Sequence, residues 1–130
     1  LLITNKEGLI LLVKRLNPPG IGEWWFPGGR TLFKELREEA VLRKLKQECN
    51  LQPESFKALG TFEIIVDRET DGTTAHSVTT LYHVQVQDGE VKVDSQSSEF
   101  AWRTARDWYT RTPYQWLRDK LDEWDRGLLR

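Results

Sequence analysis

The chain has 130 residues and a mass of 15.2 kDa, with 19 Lys and Arg against 20 Asp and Glu for a net charge of −1. That length suits one domain, and a hydrophobic fraction of 38% is too apolar for a disordered chain. The near-balanced charge excludes the broad basic field of a general nucleic-acid binder, and the longest apolar runs, such as Leu9 to Val13, fall far short of the ~20 residues of a membrane helix.

One cysteine, Cys49, excludes an intrachain disulfide framework and a CxxC zinc site, and it fits a reducing cytoplasm. The chain begins Leu1-Leu2-Ile3 and holds no methionine, so further natural residues are expected before Leu1; no signal peptide is visible. A homodimer is admitted by the sequence and not required by it.

In chain order, Leu1 to Thr4 and Leu9 to Lys14 are short apolar runs around Asn5-Lys6-Glu7-Gly8, which predicts a β-hairpin. Asn17 to Arg30 holds Pro18, Pro19, Gly20, Gly22, Pro27, Gly28 and Gly29 and reads as loop throughout. From about Glu35 to Cys49 strong helix formers run without Gly or Pro, and Val41, Leu42, Leu45 and Cys49 share one face of the predicted helix. Asn50 suits a left-handed cap there.

Strand texture follows. Ala58 to Val66 and Ser77 to Gln87 flank a turn at Asp71-Gly72, and Asp88-Gly89 predicts a further hairpin between Val84, Val86 and Val91, Val93. Thr112-Pro113 with Gln115 predicts the start of a second helix, with Pro113 at its first position and Leu117, Leu121, Trp124 and Leu128 inward. Hairpins outnumber crossovers, so the expected fold is an α+β sandwich with two main helices on a mixed, largely antiparallel sheet. It is not a doubly wound one.

The informative stretch is Gly22-Glu23-Trp24-Trp25-Phe26-Pro27-Gly28-Gly29-Arg30, then Glu35, then Arg43-Lys44-Leu45-Lys46-Gln47-Glu48-Cys49-Asn50-Leu51. It resembles the Nudix hydrolase signature: the spacings from Gly29 to Glu35 and Arg43 fit, and so does the G-x-W-x-F-P-G-G lead-in. The resemblance implies an α/β/α sandwich and hydrolysis of a nucleoside diphosphate linked to another group. It also implies that Arg43 pairs with Glu35 and braces the loop.

Three glutamates of that signature read Lys44, Gln47 and Glu48 here, and its last glycine reads Asn50. The three positions share one helical face. Three carboxylates there could hold several Mg²⁺ ions, whereas one beside a lysine fits at most one. The same thinning is similar to the GDP-mannose mannosyl hydrolase branch, which uses one Mg²⁺ and displaces a nucleoside diphosphate from a sugar.

Carried over, that likeness implies metal ligands at Gly29, Glu48 and Gln96, and diphosphate contacts at Arg15 and Arg30. Ser97 falls where the branch has its catalytic histidine, which leaves Glu99 as the reserve base beside Glu48 and Arg43. Trp24 takes a core-packing position, and Trp25 is the tryptophan expected to face a ligand. Of the two histidines, His76 lies next to a loop and is the expected ligand contact. Lys44 reads either as a surface lysine or as a stand-in for a metal's charge beside phosphate. Two other readings stay open: an ordinary Nudix pyrophosphohydrolase, and a nucleotide-binding domain with weak or lost catalysis.

Overall fold

The structure, a computed structural model, describes residues 1–87 and 89–129. Strands β1 (Leu2–Thr4) and β2 (Ile10–Arg15) pair antiparallel, as the first apolar runs predict. Their turn closes because Asn5 Oδ1 accepts the Glu7 and Leu9 amides, while Gly8 supplies a φ of 77° that a side chain would oppose. Within the expected loop, Trp24–Trp25 forms a two-residue strand, β3, on Val13 and Lys14. The first helix, α1 (Arg37–Cys49), starts two residues later than expected and ends on Asn50 at φ 58°.

Strands β4 (Pro53–Asp67) and β5 (Thr74–Val86) make a long hairpin around Asp71-Gly72. Strand β6 (Ser97–Arg103), the short helix α2 (Ala105–Tyr109) and α3 (Gln115–Asp125) complete the chain. The sheet runs β3-β2-β1-β5-β4, with β6 on the other edge of β2. Only the β1–β5 pairing is parallel among the described strands, so the α+β class and the mixed sheet are as expected.

Alternation along the central strands divides the core into two layers. Ile3, Leu11 and Val84 meet Val41, Leu45 and Cys49 of α1. Leu2, Ile10 and Leu12 meet Trp108 of α2 and Leu117, Leu121 and Trp124 of α3. The indole Nε1 of Trp108 donates to the Ile10 carbonyl at 2.8 Å, which pins α2 beneath β2.

Four expectations are corrected. Leu42 is 44% exposed and Leu128 62%, so neither belongs to an inward face. Pro113 precedes α3 instead of opening it, and Thr112 Oγ1 accepts the Tyr114 amide just before the helix. The sandwich also has a third, five-residue helix, α2. Finally, the Val84, Val86 to Val91, Val93 hairpin does not form, and Asp88 of its turn lies outside the described residues. The reason is edge occupancy: Val84 already pairs with Phe56 on one side and Ile3 on the other. Val91 is instead buried beside α1, with Lys92 N donating to the Cys49 carbonyl.

Candidate functional site

A cleft of about 660 Å³ opens between the Gly28-Gly29 turn, the Lys44–Glu48 face of α1 and the loops flanking β2 and β6. That volume is within the ~300–1,000 Å³ of small-molecule sites. Arg15, Gly29, Arg30, Glu48 and Gln96 all line it, so five of the expected site residues converge. Lys44, Gln47, Gly28, Asn17 and Asp94 complete the wall.

The turn is held by a brace from α1. Arg43 Nε and Nη2 bind Glu35 Oε2 and Oε1 at 2.7 and 2.9 Å, and Nη2 also donates to the Arg30 carbonyl at 2.9 Å. Glu35 Oε1 accepts the Leu32 amide in turn. These bonds, the Arg43 fork first, pull the Glu35 carboxyl down to about 2. Arg43 is raised by the same partner. It acts on the cleft by fixing the backbone of Arg30.

Glu48 is buried, and both its oxygens are engaged. Oε2 accepts the Gly28 amide at 2.7 Å, and Oε1 lies 3.1 Å from Lys44 Nζ. The Lys44 chain lies across Gly29: a Cβ there would come within 2.5 Å of Lys44 Cε and 2.8 Å of Nζ. The glycine leaves the space that the lysine fills.

Arg15 sits at the far wall. Its Nε donates to the Pro19 carbonyl at 2.6 Å, and its guanidinium rests 4.9 Å from the Trp25 ring centroid. Burial lowers its pKa, with Glu48, Tyr114 and Glu69 pulling the other way. Gln96 Oε1 accepts from the Asn17 side-chain Nδ2 at 2.6 Å, and Gln96 N donates to Asp94 Oδ1 at 3.0 Å. Asp94 thereby becomes a second carboxylate on the wall, a residue sequence reasoning did not single out. Its signal was available, since an Asp two residues before Gln96 can form a turn to that amide.

Three expected residues lie elsewhere. Trp25 packs edge-on against Tyr114 and Trp116 and serves as the platform under Arg15. His76 pairs with Glu63 across the β4–β5 hairpin, away from the cleft wall. Glu99 is opposite Lys14 in register and forms an ion pair with it at 2.9 Å. Lys14 lies over Trp24, which packs at a tilt against Trp108, so the pair belongs to the α2–α3 side of the sheet. The β2–β6 register shifts between Lys14 and Arg15, and neither Lys14 nor Glu99 is among the residues that line the cleft. Trp24 keeps its expected core role. Cys49 is buried, and desolvation pushes its thiol up to about 12, which suits an inert core residue.

Among the described residues, no helix is long and apolar enough to cross a membrane. The NUDIX domain model matches residues 1–130. The chain is 36% identical over 100 residues to an ADP-ribose pyrophosphatase of Methanocaldococcus jannaschii, covering 75% of this chain and 57% of that one. It is 32% identical over 100 residues to the low-salt glycan biosynthesis protein Agl8 of Haloferax volcanii, covering 75% and 64%. The chain thus spans less than two thirds of the length of either relative. Among solved structures, the NUDIX domain of Shewanella oneidensis NrtR complexed with ADP ribose superposes with a TM-score of 0.76 at 26% identity, covering 99% of this chain and 84% of that one. With the glycine turn, helix and Glu35–Arg43 brace in place, this chain belongs to the NUDIX domain family.

Proposed function

We propose that the cleft binds the diphosphate of a nucleoside diphosphate linked to a second group, and that the bond broken is the one between diphosphate and sugar of a nucleotide sugar. The observation that carries this reading is the convergence of Arg15, Arg30 and Lys44 on a ligand-sized cleft. Guanidinium forks suit phosphate oxygens, and three cations stabilise the charge a departing diphosphate gains. The likeness to the GDP-mannose mannosyl hydrolase branch and the relative named for glycan biosynthesis support the sugar.

Nudix hydrolases generally use divalent metal ions, typically Mg²⁺. The expected donors Gly29, Glu48 and Gln96 do share the cleft, yet they do not fit such an ion as they stand. A Mg²⁺ ion needs several oxygen ligands at close to ~2.1 Å. Here Glu48 holds Lys44 and the Gly28 amide, and Gln96 Oε1 holds Asn17. No step is therefore assigned to a metal.

In the proposed reaction Arg15 and Arg30 grip the diphosphate and Lys44 faces its oxygens. Water attacks the anomeric carbon, the bond from that carbon to the phosphate oxygen breaks with its electron pair, and Asp94 takes the water's proton. Asp94 is preferred to Glu48 because Glu48 is committed to Lys44 and Gly28. Attack at phosphorus gains more from a metal-bound hydroxide, which this cleft does not favour.

Incubation with nucleotide sugars, dinucleotides and ADP-ribose, with product analysis, tests the reading. Free sugar plus nucleoside diphosphate supports it. Nucleoside monophosphate plus sugar phosphate would instead mark an ordinary pyrophosphohydrolase. The Lys44–Glu48 pair also favours a second reading, a nucleotide-binding domain with weak or lost catalysis, for which binding without turnover is the expected result.

A further inference from the structure

We infer that the Lys44 ammonium is the resident cation of this cleft and binds the diphosphate in place of a divalent ion, so that ligand binding needs no metal. The inference rests on the proposed diphosphate reading and deepens it. Three separate observations support it.

The first is the ion pair. Lys44 Nζ lies 3.1 Å from Glu48 Oε1, with the two side chains only 17% and 10% exposed. A lysine on a solvated helix face has no reason to fold inward; this one is shielded and held by a buried carboxylate. The second is Gly29, whose missing side chain is the space that Lys44 Cε and Nζ occupy. Glycine and lysine are thus fitted to each other across two elements, the turn and α1.

The third is the division of labour at Glu48. Its Oε2 fastens the Gly28 amide while its Oε1 fastens Lys44, so one carboxylate sets both the turn and the cation. Glu48 is then a positioning residue. An ion bound at ~2.1 Å from Oε1 would stand within about 5 Å of the ammonium, so the two cations compete for one carboxylate. The ammonium is tethered four residues away on the same helix and is always present. It faces the cleft that Arg15 and Arg30 also line, which gives the diphosphate three cationic partners without an ion from solution.

Calorimetric titration of the whole chain with inorganic pyrophosphate, once in excess EDTA and once in Mg²⁺, tests the inference. Wild type should bind equally in both, and Lys44→Ala should lose about tenfold or more in EDTA, as expected for a lost charge-assisted contact. Thermal melts of each variant check that it is folded. Titration with Mn²⁺ alone, followed by electron paramagnetic resonance, reads the metal site without phosphate. Wild type should leave Mn²⁺ free, and Lys44→Glu, which adds a carboxylate and removes the competitor, should gain a site.

Pyrophosphate binding by wild type that appears only with Mg²⁺ would overturn the inference and leave the diphosphate reading standing. A wild-type Mn²⁺ site unaffected by Lys44→Ala would overturn it as well. No pyrophosphate binding in either condition would overturn the diphosphate reading, and the inference with it.

Discussion

Arg43 holds Glu35 by two parallel bonds, Nε to Oε2 at 2.7 Å and Nη2 to Oε1 at 2.9 Å, and shares Nη2 with the Arg30 carbonyl. The first helix is thereby tied to the loop that presents Arg30 to the cleft. This fork needs a planar guanidinium, so Arg43→Lys should not replace it. Both Arg43→Lys and Arg43→Ala should lower the melting temperature and weaken nucleotide binding together, because the loop loses its anchor. Melting curves and titration calorimetry on the same samples check this.

The same pair makes stability depend on acid in a defined direction. Glu35 is pulled from 4.5 down to about 2 in the folded chain, so its contribution is fully present above pH 4.5 and is lost as pH falls through about 2. Urea unfolding of wild type and Glu35→Gln should therefore differ at pH 7 and converge between pH 4.5 and 2. A difference that stays constant down to the lower pH would show that the carboxylate's charge is not what matters.

Arg30 offers the cleaner test of phosphate contact, since Arg15 also supports the Pro19 turn through Nε. Arg30→Ala should cost about 1.5–3 kcal/mol in nucleoside diphosphate binding, the usual worth of a hydrogen bond to a charged group. That is roughly a 10- to 150-fold rise in Kd. The melting temperature should hardly move, because it is the Arg30 backbone, retained in the variant, that meets Arg43.

Much of this was legible in the sequence for a physical reason. Lys44, Gln47 and Glu48 share one face of α1 at local spacings, and a helix converts such spacings into geometry directly, while the Glu35–Arg43 brace followed from the likeness to the family. The convergence of Arg15, Arg30, Glu48 and Gln96 followed from the likeness to the family. What stayed hidden depends on non-local pairing. The side of the sheet taken by Glu99 is set by the β2–β6 register and the bulge after Lys14. The fate of Val91 is set by the occupied edges of Val84. Helix α2 escaped notice because five residues are too few to display a helical period, although Thr104 caps it by accepting the Asp107 amide. Trp25 was expected to face a ligand because sequence does not reveal that Tyr114 and Trp116 close over it.

The relocation of Glu99 reverses its expected role as reserve base. Glu99→Gln should leave kcat unchanged, since its partner is Lys14 on the side away from the cleft. Asp94→Asn should lower kcat by about 10²–10⁴-fold, the usual range for general-base help, with little change in Kd. Steady-state kinetics on the two variants, read side by side, decide between them.

Ser97 pairs with Arg15 across β2 and β6, and the proposed likeness to the mannosyl hydrolase branch would put a histidine at that position. An imidazole titrates near neutral pH and a hydroxyl does not, so Ser97→His should raise turnover without greatly altering ligand affinity. A new limb near pH 6.5 in the rate profile would accompany the gain. An unchanged profile would mean that position 97 does not reach the reacting atoms.

The central claim is that the bond broken joins sugar to diphosphate, and isotope position tests it most directly. A nucleotide sugar hydrolysed in H₂¹⁸O and examined by mass spectrometry should place the label in the free sugar, with the nucleoside diphosphate unlabelled. Label in a phosphate, with nucleoside monophosphate as the other product, would contradict it and assign attack at phosphorus.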